Sequence, residues 1–505
     1  MLLVNPYGFI SKYAKNPNLD IVAAPMGLAY IAAVLEQNGH EVRALDCLVE
    51  RSDKKLVETC IRREKPSVVA IQAFTPSVHY AIEIAETVKE VDQEIKVMLG
   101  GTHPTALPEA TLAMSDSVDF VVRHEGEYTS LHLVNALEKG ADYVSLKKIN
   151  GIGFKHDGEV INTPNAPLVM DLDTIPFPAL HLFPVDKYQY FGAKKEIYSL
   201  ISSRGCPYSC EFCASSLIKN WRGRSAKNIV DEMEWARKKF GFSGFAFLDD
   251  LAALNRDRIF DICREMKERG LGFAWGITAR ADALDKEMLI EMEQTNCRCV
   301  FLGVESGSQE ILDRMKKGIT LEQIEKTFKW VNELGMDSIA SATLGYPGET
   351  RETIEQTMEF VIKLDPGVLV LSAATPYPGT PYFQRALERG WLPRDLSKID
   401  WRNFTMYDAI IGNENLTRDE VDKLISEFYN KFRRRPGWMF KRLILDIKQN
   451  QALYGNLKGF PLFKQPLTVR LLTRWLLHKS MGRTFDQKAP TIAEPLVTHS
   501  KKQIP

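Results

Sequence analysis

Cys206-Pro-Tyr-Ser-Cys210-Glu-Phe-Cys213 gathers three thiols into eight positions, directly after an apolar run, Tyr198–Ser202, that reads as a buried strand. Thiolates are soft ligands suited to zinc or to iron–sulfur clusters, and closed structural sites of either kind take four protein ligands. Only three are local here. A [4Fe-4S] cluster on three cysteines leaves one iron open to a substrate or cofactor. A closed zinc site would need a fourth Cys or His, for which Cys297 and Cys299 are the candidates. Cys47, Cys60 and Cys263 fall in or beside predicted strands and helices without ligand spacing, as buried small side chains do. Eight cysteines in 505 residues are too sparse for a disulfide framework, which points to a reducing compartment.

Outward from the cysteines, strand-like and helix-like segments alternate from Glu196 to about Leu392. The strands are expected at Tyr198–Ser202, Phe245–Leu248, Gly272–Ile277, Cys299–Val304, Ser338–Leu344 and Leu369–Ala374. Six βα units predict a barrel or partial barrel over residues 196–395. Upstream, residues 148–195 read as a linker, a short extended run followed by the proline-punctuated stretch Asp171–Leu182, where Pro176 and Pro178 disfavour helix. Residues 1–147 alternate again, with strands expected at Leu2–Val4, Val42–Leu45, Val68–Ala73, Val97–Leu99 and Phe120–Val122 and helices such as Gly27–Asn38 and Tyr80–Val91 between them. That is a small doubly wound α/β domain, Rossmann-like. Its ligands belong outside the carboxyl ends of the strands, at Asn5–Tyr7, Phe74–Ser77, Gly100–Pro104 and Arg123–Glu127. No G-x-G-x-x-G fingerprint points to a dinucleotide.

The length predicts two or three domains, and 45% hydrophobic with 26% charged residues is the balance of a globular chain. No apolar stretch is long enough to span a membrane, and the start, MLLVNPYGF, lacks the features of a signal peptide, so a cytoplasmic protein is expected. The net charge of zero hides an asymmetry: residues 431–505 carry 16 Lys and Arg against 3 Asp and Glu, a net of +13, leaving −13 on residues 1–430. Residues 396–505 read as a mostly helical basic region, with a helix capped by Thr417 and Glu420, a break at Pro436 and an amphipathic stretch, Met439–Leu445. Two readings of this tail stand: a helix packed on the barrel, or peripheral contact with an anionic membrane. No nucleic-acid-binding motif accompanies the charge. No paired carboxylates or nucleophile triad stand out.

The CxxxCxxC run after the first barrel strand resembles the signature of the radical S-adenosylmethionine (SAM) superfamily. The resemblance implies that Cys206, Cys210 and Cys213 hold a [4Fe-4S] cluster. SAM then chelates its open iron, and an electron from a donor such as ferredoxin or flavodoxin cleaves it to a 5′-deoxyadenosyl radical. It places Phe212 near the adenine, Asp249 and Asp250 of Phe247-Leu248-Asp249-Asp250 at the SAM amino group, Arg280 at its carboxylate, and Glu305 and Ser306 of Gly303-Val304-Glu305-Ser306-Gly307-Ser308 at its ribose and methionine portion. Tyr346, Tyr377 and Tyr382, near the open barrel end, read as ordinary aromatic packing.

The first domain is similar to the cobalamin-binding domain of the cobalamin-dependent radical SAM proteins. The matching stretches are Pro25-Met26-Gly27-Leu28-Ala29-Tyr30, Gly39-His40-Glu41-Val42, Gly100-Gly101-Thr102-His103-Pro104 and Arg123-His124-Glu125-Gly126-Glu127. Thr75, Ser77, Gly100, Gly101, His103 and Glu125 are the expected cofactor contacts. The DxHxxG motif by which many cobalamin proteins ligate cobalt is absent, so His103 is expected to hydrogen-bond within its loop. The implied activity is methyl transfer through methylcobalamin to an unactivated carbon of a lipid or tetrapyrrole-like small molecule. An anaerobic oxidative cyclase of magnesium-porphyrin esters shares the architecture and is the alternative. A non-catalytic iron–sulfur or zinc protein is the alternative of another class.

Overall fold

Continuous apolar runs, whose successive side chains point to opposite faces, bury both faces of the first sheet. The computed structural model describes residues 1–7, 21–190, 193, 194 and 196–438. Strands β1 (Leu2–Asn5), β2 (Arg43–Asp46), β3 (Val68–Gln72), β4 (Lys96–Gly100) and β5 (Phe120–Val122) are parallel, and β6 (Ile152–His156) and β7 (Glu159–Asn162) add an antiparallel edge. Leu3, Ala70, Met98 and Phe120 pack with helices Met26–Gln37 and Gly126–Glu138. Leu2, Val4, Val69, Ile71 and Leu99 pack with Lys54–Glu64 and Val78–Val91 on the other face. The order, β2-β1-β3-β4-β5-β6-β7, reverses direction at β1 and β3. That switch point opens a crevice beyond the strands' carboxyl ends.

Two features depart from the expected linker. β6 and β7 form a hairpin across Asp157-Gly158, both at positive φ, which suits a two-residue turn whose twist matches the strands. The proline-punctuated stretch that follows is packed rather than loose. Leu172, Ile175, Leu180, Phe183 and Tyr188 are buried in the main core, and the Ala179 N–H donates to the Ala29 carbonyl.

The second sheet is all parallel, β8 (Ile197–Leu200), β9 (Gly244–Phe247), β10 (Ala274–Ala279), β11 (Cys297–Glu305), β12 (Asp337–Leu344) and β13 (Val368–Ala373), in sequence order and without closure. Trp275, Ile277, Leu302 and Leu371 face the covering helices, while Gly276, Thr278, Gly303 and Ser372 line a half-open inner face. This is a curled half-barrel.

Residues 396–438 do not form a separate region. Trp401 and Phe404 are buried in the same core as Val4 and Ile71 of the first sheet, with the Trp401 ring 4.9 Å from that of His103. Helix Arg418–Arg433 opens on the expected Thr417/Glu420 capping box and lies on the half-barrel, where the Leu371 N–H donates to the Tyr429 hydroxyl (2.8 Å). Residues 439–505, with the amphipathic stretch, lie outside the described residues. No helix among the described residues is long and apolar enough to cross a membrane.

Replacing Trp401 by Ala leaves a cavity against Phe383, Phe404 and His103. The expected cost is about 3–5 kcal/mol, read as a lower denaturant midpoint with an unchanged slope.

Candidate active site

The cysteine loop hangs from a two-stranded ribbon in which Ser203 and Arg204 pair with Gly223 and Arg222. Gly205, at φ +82°, starts the loop where a side chain would meet the Asn220 and Ile218 carbonyls. The Cys206 N–H donates to the Ile218 carbonyl and the Glu211 N–H to that of Met315, fixing the loop at its start and its middle. The Glu211 carboxylate is held by Lys316 (2.7 Å), Arg385 and the Tyr346 hydroxyl (3.1 Å).

Cys206, Cys210 and Cys213 are half-buried and joined in no disulfide. Burial raises the thiols of Cys206 and Cys210 above their ordinary value, and the nearby cations of Lys317 and Arg280 oppose this at Cys210. Cys297 and Cys299 sit at the amino end of β11, paired with Trp275, Gly276 and Asp337, whereas the loop leaves the carboxyl end of β8. They cannot supply a fourth ligand. Among the described residues no three His, Cys, Asp or Glu side chains close around a single ion. Three thiols without a fourth fit a cluster with one open iron, and two cations beside Cys210 suit its negative charge.

Around the loop, the expected SAM contacts divide. Asp250 is exposed and accepts one hydrogen bond, from Ser215 of the loop (2.6 Å). Asp249 is fully buried and holds the start of the loop, accepting from the Ser202 N–H (2.6 Å), the Ser202 hydroxyl and the Ser203 hydroxyl (2.8 Å). Arg280 gives two N–H groups to Asp282 (2.9 Å each), stacks on Tyr208 at 3.7 Å and turns Nη1 to within 4.0 Å of Cys210 Sγ. Glu305, at φ +63°, ends β11 paired with Lys317 (2.8 Å), and Thr343 donates to it (3.2 Å). Ser306 exchanges a hydrogen bond with Thr357 and accepts the Ser308 N–H. Phe212 packs edge-on to Tyr346, and Tyr346 and Tyr382 are buried beside it. Tyr377 is partly buried on the core below the first sheet.

In the first domain, His103 is fully buried. Its Nδ1 lies 3.4 Å from the Thr75 hydroxyl and its Nε2 has no partner among the described residues. Burial, aided by His79, holds it at about 3, a neutral imidazole. The Ser77 hydroxyl is spent within its turn, on the Phe74 N–H and carbonyl. Gly100 has ordinary room. Gly101, at φ +123°, lets two strand ends meet, because a Cβ there would strike the Ala73 carbonyl. Phe74 leaves its ring half-exposed at the switch point. A buried nitrogen without a partner among the described residues, and an exposed aromatic ring at the same strand ends, fit a large, flat ligand. Glu125 instead joins the two halves, paired with Arg204 (3.3 Å) and Arg222 (2.9 Å). The hydrogen bond from Arg222, the Arg204 charge and the Val169 N–H outweigh burial and hold its carboxyl below the usual range.

The carboxyl ends of both sheets meet. Gly379, after β13, lies against Ala106, after β4, and against Leu217 of the cysteine loop. Residues 200–361 match the radical SAM superfamily and residues 18–134 match the B12 binding domain. An uncharacterised methyltransferase of Pyrococcus horikoshii is 35% identical over 430 residues, covering 85% of this chain and 91% of that protein. The chain belongs to the cobalamin-dependent radical SAM family. An anaerobic magnesium-protoporphyrin IX monomethyl ester cyclase of Rubrivivax gelatinosus is 28% identical over 441 residues, 86% of this chain and 78% of the cyclase. The cobalamin-dependent SAM radical enzyme OxsB, solved with aqua-cobalamin and SAM bound, shares the fold at a TM-score of 0.70 and 18% identity, over 96% of this chain and 76% of that one. As a member of the family the enzyme takes a [4Fe-4S] cluster, SAM and cobalamin.

Sequence reasoning missed Arg204, Arg222, Glu211 and Lys317, whose partners lie far along the chain or on the next loop, and placed Glu127 at the ligand crevice rather than against Arg204. It also missed Glu349, whose carboxylate accepts the Gly345 and Tyr346 N–H groups (2.6 and 2.9 Å) at the end of β12. Burial pushes Glu349 up to about 8 against those two donors. Its stabilising effect is therefore full below the ordinary carboxylate value and is lost as pH rises through about 8. Across that window the wild type is expected to lose up to about 1.4 kcal/mol of stability per pH unit. Glu349→Gln, whose amide oxygen still accepts both N–H groups, is expected to flatten the slope in denaturant titrations over the same pH range.

Proposed function

We propose that this enzyme transfers a methyl group to an unactivated carbon of a small molecule. The observation that carries the reading is the meeting of the two sheets' carboxyl ends at Gly379, Ala106 and Leu217, which brings the cobalamin crevice and the cysteine loop to one chamber. When bound, the cluster with SAM supplies a 5′-deoxyadenosyl radical that removes a hydrogen atom from the substrate, and cobalamin supplies the methyl group.

The chain's own residues bind and orient. Cys206, Cys210 and Cys213 hold the cluster. Asp250, exposed beside the loop, faces the SAM ammonium, and Phe212 flanks the adenine. Glu305 and Ser306 shape the end of β11 that receives the rest of SAM, and Asp249 and Arg280 hold the loop and its charge in place. Thr75, Ser77, Gly100, Gly101 and His103 form the floor of the cobalamin crevice, with His103 neutral and its Nε2 without a partner among the described residues. Phe74, Leu248 and Met406 are exposed beside the ends of β3, β9 and β13, which favours a substrate with an apolar body, such as a lipid or a tetrapyrrole-like ring. A ferredoxin or flavodoxin delivers the electron. The basic residues 439–505 hold the enzyme at an anionic membrane surface.

Anaerobic reconstitution with iron, sulfide, cobalamin, SAM and a reductant is expected to yield both 5′-deoxyadenosine and S-adenosylhomocysteine. Alanine at Cys206, Cys210 or Cys213 should abolish the deoxyadenosine. Deoxyadenosine without S-adenosylhomocysteine would transfer the assignment to oxidative ring formation, which the similarity to the Rubrivivax cyclase supports as the second reading. Membrane contact has its own test: the full chain should sediment with anionic vesicles, and a chain ending at Trp438 should not. Equal sedimentation of the two would remove the tail from the account.

A further inference from the structure

The ribbon that carries the cysteine loop is gripped by the other domain. Residues 205–221 leave and return through the pairs Ser203–Gly223 and Arg204–Arg222, so the two arginines stand at the two feet of the loop. Both reach carboxylates at the start of helix Gly126–Glu138 in the cobalamin domain: Arg204 to Glu127 (2.6 Å) and Glu125 (3.3 Å), Arg222 to Glu125 (2.9 Å). Arg222 also donates to the Val169 carbonyl (2.7 Å), and the Val169 N–H donates to Glu125 (2.9 Å). Glu125 and Glu127 are 8% and 5% exposed, Arg222 and Arg204 3% and 16%. The Arg204 guanidinium further lies over the ring of Tyr30, from the same domain, at 5.5 Å.

Apolar contacts hold two domains together without fixing their register, because side chains can slide and repack. Charge-assisted bonds from planar guanidinium groups fix distance and angle. A buried ion pair adds little stability over a packed apolar substitute, so its natural use is register. Here the register is that of the cysteine loop, since Arg204 lies two residues before Cys206.

We propose that Glu125 and Glu127 are positioning residues: through Arg204 and Arg222 they fix the cluster loop relative to the cobalamin domain, and so set the alignment of the two cofactors. The consequence is a coupling device. A loosened ribbon still holds three thiols and still allows SAM cleavage, but the radical and the methyl donor no longer share one geometry.

Glu127→Gln keeps the shape and removes the charge opposite Arg204, and Arg204→Lys keeps the charge and loses the planar fork. Should the first fail to fold, the second carries the same test. In the full chain without cofactors, amide hydrogen exchange is expected to quicken at residues 203–206 and 126–129 while the strands of both sheets keep wild-type protection. In the reconstituted enzyme, deoxyadenosine formation should persist while S-adenosylhomocysteine formed per deoxyadenosine falls by about 10–100-fold, the penalty of a misalignment near 1 Å. Pulsed magnetic resonance on the reduced cluster and cobalt(II) should give a broader distance distribution than in the wild type. Unchanged exchange at the ribbon, or an unchanged distance distribution, overturns the proposal. So does quickened exchange with an unchanged product ratio, which is mere domain adhesion. The product ratio rests on the methyl-transfer reading. If the wild type makes no S-adenosylhomocysteine, that reading fails alone, and the exchange and distance measurements still decide the anchor.

Discussion

Parallel strands joined by crossovers deliver every ligand-holding loop to one end of their sheet, and in this chain two such ends are turned toward each other. The rest of the architecture follows from keeping them there. The apolar core runs from Leu3 of the first sheet through the proline-punctuated connection to Phe247 and Leu302 of the half-barrel, so the halves share one interior. Trp401 and Phe404 close the other side by entering the core below the first sheet, next to His103. A chain that only linked the two domains would need none of this.

Much of that frame is legible from periodicity. Phe120–Val122 forms as expected, and the other ten expected strands form within a few residues of their predicted ends. The expectation of a (β/α)6 partial barrel with the cysteine loop after its first strand holds, because six apolar runs of strand length separated by amphipathic helices leave few alternatives. Asp157-Gly158 is a hairpin signal between short apolar runs, and it turns the extended run expected at the start of the linker into the paired strands β6 and β7. The packed connection was illegible for a physical reason. Leu172, Ile175, Leu180 and Phe183 follow neither helix nor strand spacing, since short turns bury them one at a time.

The site was legible in its ligands and not in its supports. Three cysteines at fixed spacing announce themselves, but Glu125 finds Arg204 79 residues on and Arg222 97 residues on, and no local pattern encodes such a pairing. The motif Arg123-His124-Glu125-Gly126-Glu127 was read as cofactor-facing because it ends a strand of the ligand-binding sheet. The carboxyl end of a strand is also the only place from which this domain can reach the other domain's loops. A polar motif at a strand end is therefore evidence for a meeting point, and which partner it meets depends on the second sheet.

The buried carboxylates argue the same division of labour. Asp249 holds the start of the cysteine loop, Glu211 its middle, Glu305 the cation beside Cys210, Glu349 the turn after β12, and Glu125 the joint between the halves. An acid–base enzyme keeps a carboxyl near its substrate with a proton to give or take. Here Asp249, Glu211, Glu305 and Glu125 are occupied by donors from the backbone and side chains around them, and Glu349, the one raised to about 8, spends one oxygen on two backbone N–H groups. Side chains committed in this way keep loops in one place while a reactive species forms among them. Fixing that geometry is what a fold must contribute when the bond-breaking belongs to its cofactors.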